Sequence, residues 1–306
     1  MRIAVTGAAG QLGRWVVDRA CRAGHEVVAV DLPAALGQHS GGVRWRSADL
    51  TVLDEARAAL AGADAVAHLG ALTSPNAAPE PEVHRTNVEA TYNVLLAAEE
   101  HSLASVCTAS SINAIGGIFS RRPRYDYFPL DEEHPSYCED AYGLSKWIGE
   151  QQSSAFARRR PEVPFSALRF HALREDARAA GQAPESDPEA RWRDLWGWTS
   201  FDAAAAACLL ALHRTAPGHA VYHVVASTTM CAVPSEELAR RFYPEVPPRA
   251  PLPGTTGFYR GDKALAELGW DAHDEHPPIG AAERRALSDR WGRPAVAGRT
   301  WGSRTW

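Results

Sequence analysis

The stretch Val5-Thr6-Gly7-Ala8-Ala9-Gly10-Gln11-Leu12-Gly13 restricts the fold of this chain more than any other. It follows Arg2-Ile3-Ala4-Val5, a short apolar run that reads as a buried strand. It opens Leu12-Gly13-Arg14-Trp15-Val16-Val17-Asp18-Arg19-Ala20, whose apolar positions recur at helical spacing. Strand, glycine turn and helix in that order make a cradle for an anion. Glycine has no Cβ, so the backbone turns tightly and a pyrophosphate can come close. The helix that follows aims free N–H groups and the positive end of its dipole at that anion. The spacing is Gly-x-x-Gly-x-x-Gly, one residue longer than the commonest dinucleotide pattern, and taken alone it fits a plain tight turn equally well. Asp31 shifts the balance. It ends a second apolar run, Glu26-Val27-Val28-Ala29-Val30, at the distance expected for the residue that grips an adenine ribose. A carboxylate there accepts from both ribose hydroxyls and repels a 2′-phosphate, so NAD is expected over NADP. The plain alternative is a turn residue before Leu32-Pro33.

Beyond the glycine turn, strand patterns near 2–6, 26–30, 43–46, 64–68 and 104–109 alternate with helical patterns near 11–23, 52–61 and 82–102. This alternation predicts an α/β fold of Rossmann type, a doubly wound parallel sheet with helices on both faces. Residues 1–172 are expected to form the dinucleotide-binding domain with its catalytic helix. Residues 173–283 are expected to return a helix and a strand (200–226) to it and to form a small C-terminal substrate-binding region. An irregular tail, 284–306, would follow. The segment 116–140 is long for a connection and reads as a lid or specificity loop.

Composition excludes several classes. The 306 residues carry a net charge of −5 with no long basic run, which argues against a nucleic-acid partner. The apolar run Phe201 to Leu212 is too short to cross a membrane. Cys21, Cys107, Cys138, Cys208 and Cys231 show no Cys-x-x-Cys pair, so neither disulfides nor a metal site is expected. Reduced thiols, and a chain that enters a strand at once without a signal peptide, point to the cytoplasm.

Residues just past strand ends line the crevice of such folds. Asp49-Leu50 follows the third strand; Asp49 could meet the adenine amino group or cap the helix through Leu53 to Leu60. Leu69-Gly70-Ala71 ends the fourth strand with small residues that would leave room for the cofactor, and Thr73 and Ser74 follow. Asn87 sits inside a helix, where its propensity is poor, so it needs a partner: the cofactor or, as a surface residue, water. Phe170 ends a sixth strand, Phe165 to Phe170, close enough to be a cofactor contact.

The acid–base chemistry falls on Ser111, Tyr142 and Lys146. Tyr142 and Lys146 lie four apart on a helix and share a face; Ser111 ends the fifth strand. A free tyrosine, with a pKa of about 10, is a poor base at neutral pH. A neighbouring ammonium and a positive nicotinamide ring are expected to lower that value. The phenol could then exchange a proton with a substrate hydroxyl or carbonyl while hydride moves. The serine would hold the same oxygen, and the lysine would also bond the nicotinamide ribose. A chance surface Tyr-x-x-x-Lys pair is the plain alternative. Asn113, His171, Arg174 and Arg193 are further substrate candidates. His171 and the tryptophans Trp192, Trp196 and Trp198 could equally be core residues.

Together these motifs resemble the extended short-chain dehydrogenase/reductases, the NAD-dependent epimerase/dehydratase group. The matching stretches are Thr6 to Gly13, Asp31, Asp49-Leu50, His68 to Ala71, Thr86-Asn87-Val88, Ala109-Ser110-Ser111, Tyr142 to Lys146 and Asp262-Lys263-Ala264…Leu268-Gly269-Trp270. The resemblance implies NAD, the Ser111-Tyr142-Lys146 trio, and a homodimer through the helices around 86–101 and 142–159. Nucleotide-sugar members carry an Asn where Ala172 stands. Uronate dehydrogenases, which oxidise a free sugar acid to its lactone with NAD, are similar along His68 to Gly70, Ala109 to Ser111, Tyr142 to Lys146 and Arg193 to Asp202. By that likeness Arg193 would hold a substrate carboxylate. This chain has Ile112-Asn113 where they prefer Asn-His. The expected activity is therefore NAD-dependent hydride transfer at a CH–OH or carbonyl carbon of a small polar molecule. A nucleotide-sugar epimerase or dehydratase, and a non-catalytic NAD(P)-sensing module, are the alternatives.

Overall fold

The computed structural model describes residues 1–33, 43–175 and 187–272. In chain order the strands are β1 Arg2–Thr6, β2 Glu26–Asp31, β3 Arg44–Ser47, β4 Ala65–His68, β5 Ser105–Ser111, β6 Pro164–Phe170, β7 Leu173–Arg174, β8 Thr199–Ser200 and β9 Gly218–Val224. The helices are α1 Gln11–Arg22, α2 Leu53–Leu60, α3 Glu80–Glu100, α4 Ala141–Arg159, α5 Pro188–Arg191, α6 Phe201–Leu212, α7 Ser235–Phe242 and α8 Asp262–Leu268. Seven strands form one sheet in the order β3-β2-β1-β4-β5-β6-β9, every neighbouring pair parallel. The direction of winding reverses between β1 and β4, and the crevice at such a reversal is where ligands settle in open α/β sheets.

Strand alternation builds two cores. Ile3, Val5, Val27, Ala29, Ala65 and Ala67 face one side and pack with α1 and α6. Ala4, Val28, Val30, Val66 and Val106 face the other and pack with α2, α3 and the end of α4. Successive side chains of a strand point to opposite faces, so continuous apolar runs are what a sheet covered on both faces requires. The doubly wound sheet is thus as expected, with element ends within a residue or two.

A third core lies beyond the strand ends and joins Ile112, Tyr125, Phe128, Leu130, Leu195, Trp196, Tyr243 and Phe258. Part of the segment 116–140 belongs to it. The amide of Phe128 donates to the Pro247 carbonyl (3.1 Å) and that of Arg249 to the Phe128 carbonyl (2.6 Å). Leu130 donates to Phe258 (2.7 Å) and Arg260 to Leu130 (2.8 Å). With Phe128 and Leu130 buried as well, the part around 126–130 forms a wall tied to the residues near 247 and 258. Trp196 is fully buried, its Nε1 donating to the Pro188 carbonyl (2.9 Å), so it fills core. The expected tail 284–306 lies outside the described residues, as does 176–186.

Candidate active site

The glycine turn is shaped by close backbone approach. Gly7 has φ +65°, and a Cβ on it would lie 2.7 Å from the Gly70 amide nitrogen. A Cβ on Gly13 would fall 2.1 Å from the Gly7 carbonyl oxygen. Gly10, at the start of α1, has no side-chain cap, and no acidic residue occupies the first turn at Gln11 and Leu12. That end of the helix is electrically ready for an anion and closed to a competing carboxylate. Asp31 braces the same loop. Its Oδ2 accepts from the Ala9 amide (2.8 Å) and its Oδ1 from Leu32 (2.8 Å). The residues present therefore fit a dinucleotide: uncapped amides for the pyrophosphate, and a carboxylate at the end of β2 for the ribose.

Thr6, which the sequence reading passed over, ties β1 to β4. Its Oγ1 accepts from the amides of Leu69 (3.2 Å) and Gly70 (3.3 Å) and meets His68 Nδ1 at 2.8 Å. Leu69, Gly70 and Ala71 thus lie beside the glycine turn, with Leu50 buried next to Gly70. Two expectations change. Asp49 does not cap α2; its Oδ1 accepts from the Thr51 amide (3.0 Å) and hydroxyl (2.7 Å), and the cap position, Val52, has no side-chain bond. Asn87 is not a surface residue; it is buried. Its Oδ1 accepts from the Leu72 amide (2.8 Å), and its Nδ2 donates to the Leu72 carbonyl (2.9 Å) and Ser145 Oγ (3.0 Å). A buried carboxamide with every function engaged is a clamp on the loop after β4. On that loop Thr73 is exposed, and Ser74 Oγ accepts from the Asn76 amide (3.1 Å).

Tyr142, Ser111 and Lys146 meet because α4 starts very close to the end of β5. A Cβ on Gly143 would lie 2.6 Å from the Asn113 carbonyl oxygen, so only glycine permits this approach. Asp140 caps α4, its Oδ1 accepting from the amides of Tyr142 (3.0 Å) and Gly143 (2.8 Å). Burial pushes the Tyr142 phenol up to about 12; a side-chain hydrogen bond with Ser111 pulls it down, and Asp140 adds to the rise. The expected lowering by the lysine is therefore not what the protein alone produces. The ammonium sits 5.8 Å from the ring centroid and spends one donor on the Ala109 carbonyl (2.9 Å). Burial brings Lys146 itself down to about 8, against an upward pull from Glu150.

Asn113 lies just past Ser111. Its amide (3.2 Å) and its Nδ2 (3.4 Å) both donate to Ser111 Oγ, while its buried Oδ1 has no partner. Arg193 has a buried, unpartnered Nε, and its guanidinium carbon lies 5.4 Å from the Trp192 ring centroid. Its carbonyl accepts from Tyr125 Oη (2.7 Å), which sits close to Gly117 and so to Asn113. Arg174 is in β7, paired in register with Ser200 of β8. Phe170 is buried at the end of β6, in register with Ser111.

His171 takes its plainer role. Nε2 meets the Asp194 carbonyl (2.8 Å) and Nδ1 accepts from the Ala172 amide (2.6 Å), so both ring nitrogens are spent inside the fold. Burial, assisted by Arg191, holds it neutral down to about 3. His68 is likewise held down to about 3, by burial and then by Lys146. An unfolded histidine titrates at about 6.5, so below that pH the unfolded chain binds protons that the folded one refuses. Stability should therefore fall as pH drops from 6.5 toward about 3, by up to about 1.4 kcal/mol per pH unit for each such histidine. Urea midpoints measured from pH 7 to 4 test this. His171→Gln should flatten the curve by about one proton, and an unchanged slope would refute the neutral, buried His171.

A parallel sheet with a glycine cradle at its reversal point and a Ser, Tyr and Lys beside it defines a dinucleotide-binding protein of the Rossmann type. The model of the NAD dependent epimerase/dehydratase family matches residues 3–173, and the chain belongs to that family. NAD is thus its cofactor, in keeping with the cradle described above. Among curated relatives, the uronate dehydrogenase of Agrobacterium fabrum is 30% identical over 153 residues, 49% of this chain and 53% of that protein. The dTDP-6-deoxy-L-talose 4-dehydrogenase (NAD(+)) of Aggregatibacter actinomycetemcomitans is 28% identical over 182 residues, 58% of this chain and 63% of that one. The chain thus matches less than two thirds of the length of these relatives. Among solved structures, a mutated uronate dehydrogenase has a TM-score of 0.66 at 21% identity, covering 95% of this chain and 86% of its own. At such identity the likeness is one of fold.

Proposed function

We propose that the protein is an NAD-dependent oxidoreductase that moves hydride at a CH–OH or carbonyl carbon of a small, polar, sugar-like substrate. The observation that carries this is the meeting of the Tyr142 phenol, the Ser111 hydroxyl and the Lys146 ammonium where β5 and α4 converge. Bound NAD would supply the hydride acceptor or its reduced form the donor. Ser111 would hold the reacting oxygen and Tyr142 would exchange its proton. Lys146, with donors beyond the one given to Ala109, would orient the nicotinamide ribose. Asn113 and Arg193, each with a buried polar atom awaiting a partner, would bind the rest of the substrate. A planar guanidinium at Arg193 suits a carboxylate, which favours a sugar acid. A nucleotide-sugar epimerase is the competing activity within the family. Exposed Tyr92 on α3, and Leu144 and Trp147 on α4, would form the homodimer face. Among the described residues no helix is long and apolar enough to cross a membrane.

The test is a screen of sugar acids, sugars, alcohols and ketones with NAD and NADP, read at the NADH absorbance. Net NADH from a sugar acid supports the reading. Substrate turnover without net change in the coenzyme would make the protein an epimerase, and coenzyme binding with no turnover would make it a sensor. In the same assay Asp31→Ala should weaken NAD and narrow the gap to NADP. If NADP is already the better coenzyme of the unmodified protein, Asp31 does not select against the 2′-phosphate.

A further inference from the structure

Beside Lys146, α3 and α4 and the ends of β4 and β5 line a small polar cavity. It has room for about one water. Lys146, Glu150, His68, Thr91, Thr108 and Ser110 are among the groups that line it. Glu150, one turn beyond Lys146, is buried and rigidly held. Its Oε1 accepts from Ser110 Oγ (2.6 Å) and Arg169 Nε (2.8 Å), and its Oε2 from Arg169 Nη2 (2.8 Å). A carboxylate has about four acceptor sites, so one remains. Lys146 has three N–H donors and gives one to Ala109. Thr108 is buried and lines the same cavity. A water in this cavity would find an ammonium donor, a carboxylate acceptor and a hydroxyl within one small space, the two to four polar partners a buried water needs.

We infer that Glu150, fixed by Arg169 and Ser110, is a positioning residue that supplies the counter-charge for Lys146 through one water held at Thr108. This rests on the acid–base reading of Tyr142 and Lys146. A lysine buried beside an uncharged phenol would shed its proton and lose its hold on ribose and phenolate alike. A carboxylate behind it keeps the ammonium charged without approaching the reacting oxygen. The Arg169 pairing prevents that carboxylate from swinging forward to neutralise Lys146 directly. The other titratable groups facing this cluster are His68 from β4, Arg169 from β6, His219 from β9, and Cys138 and Tyr142 around the start of α4. Burial brings His68 down to about 3 and His219 to about 4, and it raises Cys138 and Tyr142. Around pH 8, where burial brings Lys146, it therefore titrates with little interference.

The chain has only two lysines, Lys146 and Lys263, so the titration can be watched directly. Full-length protein labelled at lysine Cε and Nζ should give two signals by NMR, assigned with Lys263→Arg. In Glu150→Gln the Lys146 midpoint should drop by about one pH unit or more. In Glu150→Asp, which keeps the charge, it should lie between the two. Thr108→Val, nearly isosteric and without the hydroxyl, should lower it as well. An unmoved midpoint in Glu150→Gln overturns the inference. If that variant does not fold, an unmoved midpoint in Thr108→Val overturns it. Where a substrate is in hand, Glu150→Gln should match the unmodified enzyme at low pH and lose rate earlier as pH rises; a pH-independent loss would mark a merely structural role. The NMR result stands without any substrate, so a failed activity screen and a failed Lys146 shift refute different statements.

Discussion

Tyr142→Phe is expected to bind NAD with unchanged affinity and to turn over about a thousandfold more slowly, within the range general acid–base groups contribute. The substitution removes one oxygen from a ring that is 8% exposed, so packing against Phe119 and the capped start of α4 should survive. Stopped-flow measurement of the hydride step, with coenzyme binding followed by protein fluorescence, separates the two effects. The direction of the reaction also enters. With its pKa pushed up to about 12 by burial, the phenol keeps its proton at neutral pH and is ready to donate it to a carbonyl. Oxidation needs the phenolate, so below about pH 8, where Lys146 keeps its proton, the unmodified enzyme should run faster toward oxidation as pH rises and faster toward reduction as pH falls. A Tyr142→Phe variant with undiminished turnover would remove the phenol from its assigned place.

Gly13→Ala is expected to abolish coenzyme binding and to cost about 1–3 kcal/mol of stability, as overpacking does. The added Cβ would lie 2.1 Å from the Gly7 carbonyl oxygen and 2.7 Å from Ala8 Cα. Both neighbours are backbone, so no side chain can step aside. Gly10→Ala is the comparison. Its Cβ would meet only the Gly7 carbonyl oxygen, at 3.0 Å, and stability should fall less. Isothermal titration with NAD and urea unfolding of both variants check this. Equal behaviour of the two would mean that the turn is looser than the backbone distances require.

The readable parts of this chain were those in which geometry leaves one residue type no substitute. Gly7 and Gly13 stand where any side chain would strike backbone, and their spacing announced the cradle. The two-sided sheet was legible because Ile3-Ala4-Val5 and Val27-Val28-Ala29-Val30 are apolar on both faces, which a strand with one wet face would not be. Residues whose meaning depends on where a side chain points were harder. Asn87 in mid-helix needs a partner, as its poor propensity says, but the partners are the backbone of Leu72, fifteen residues earlier, and Ser145 Oγ. His171 ends a strand as a ligand-facing histidine would, yet the Asp194 carbonyl and the Ala172 amide occupy it. In the sequence, the influence of Lys146 on Tyr142 rests on helical spacing. Spacing says nothing of burial, and burial dominates the phenol. The Glu150–Arg169 pair left one faint trace, an acidic residue four positions beyond Lys146 on the same helix face; its burial could not be read from a single sequence.

The wall formed by 126–130 is bonded backbone to backbone with the residues around Pro247 and Phe258, more than a hundred positions away. Anyone grafting a relative's pocket onto this scaffold would have to transplant both segments as one cassette. Swapping either alone leaves its former mate with unanswered amides and carbonyls. Neutral drift faces the same arithmetic, so new selectivity in this lineage should arise through paired exchanges across that seam or through side chains that never touch it.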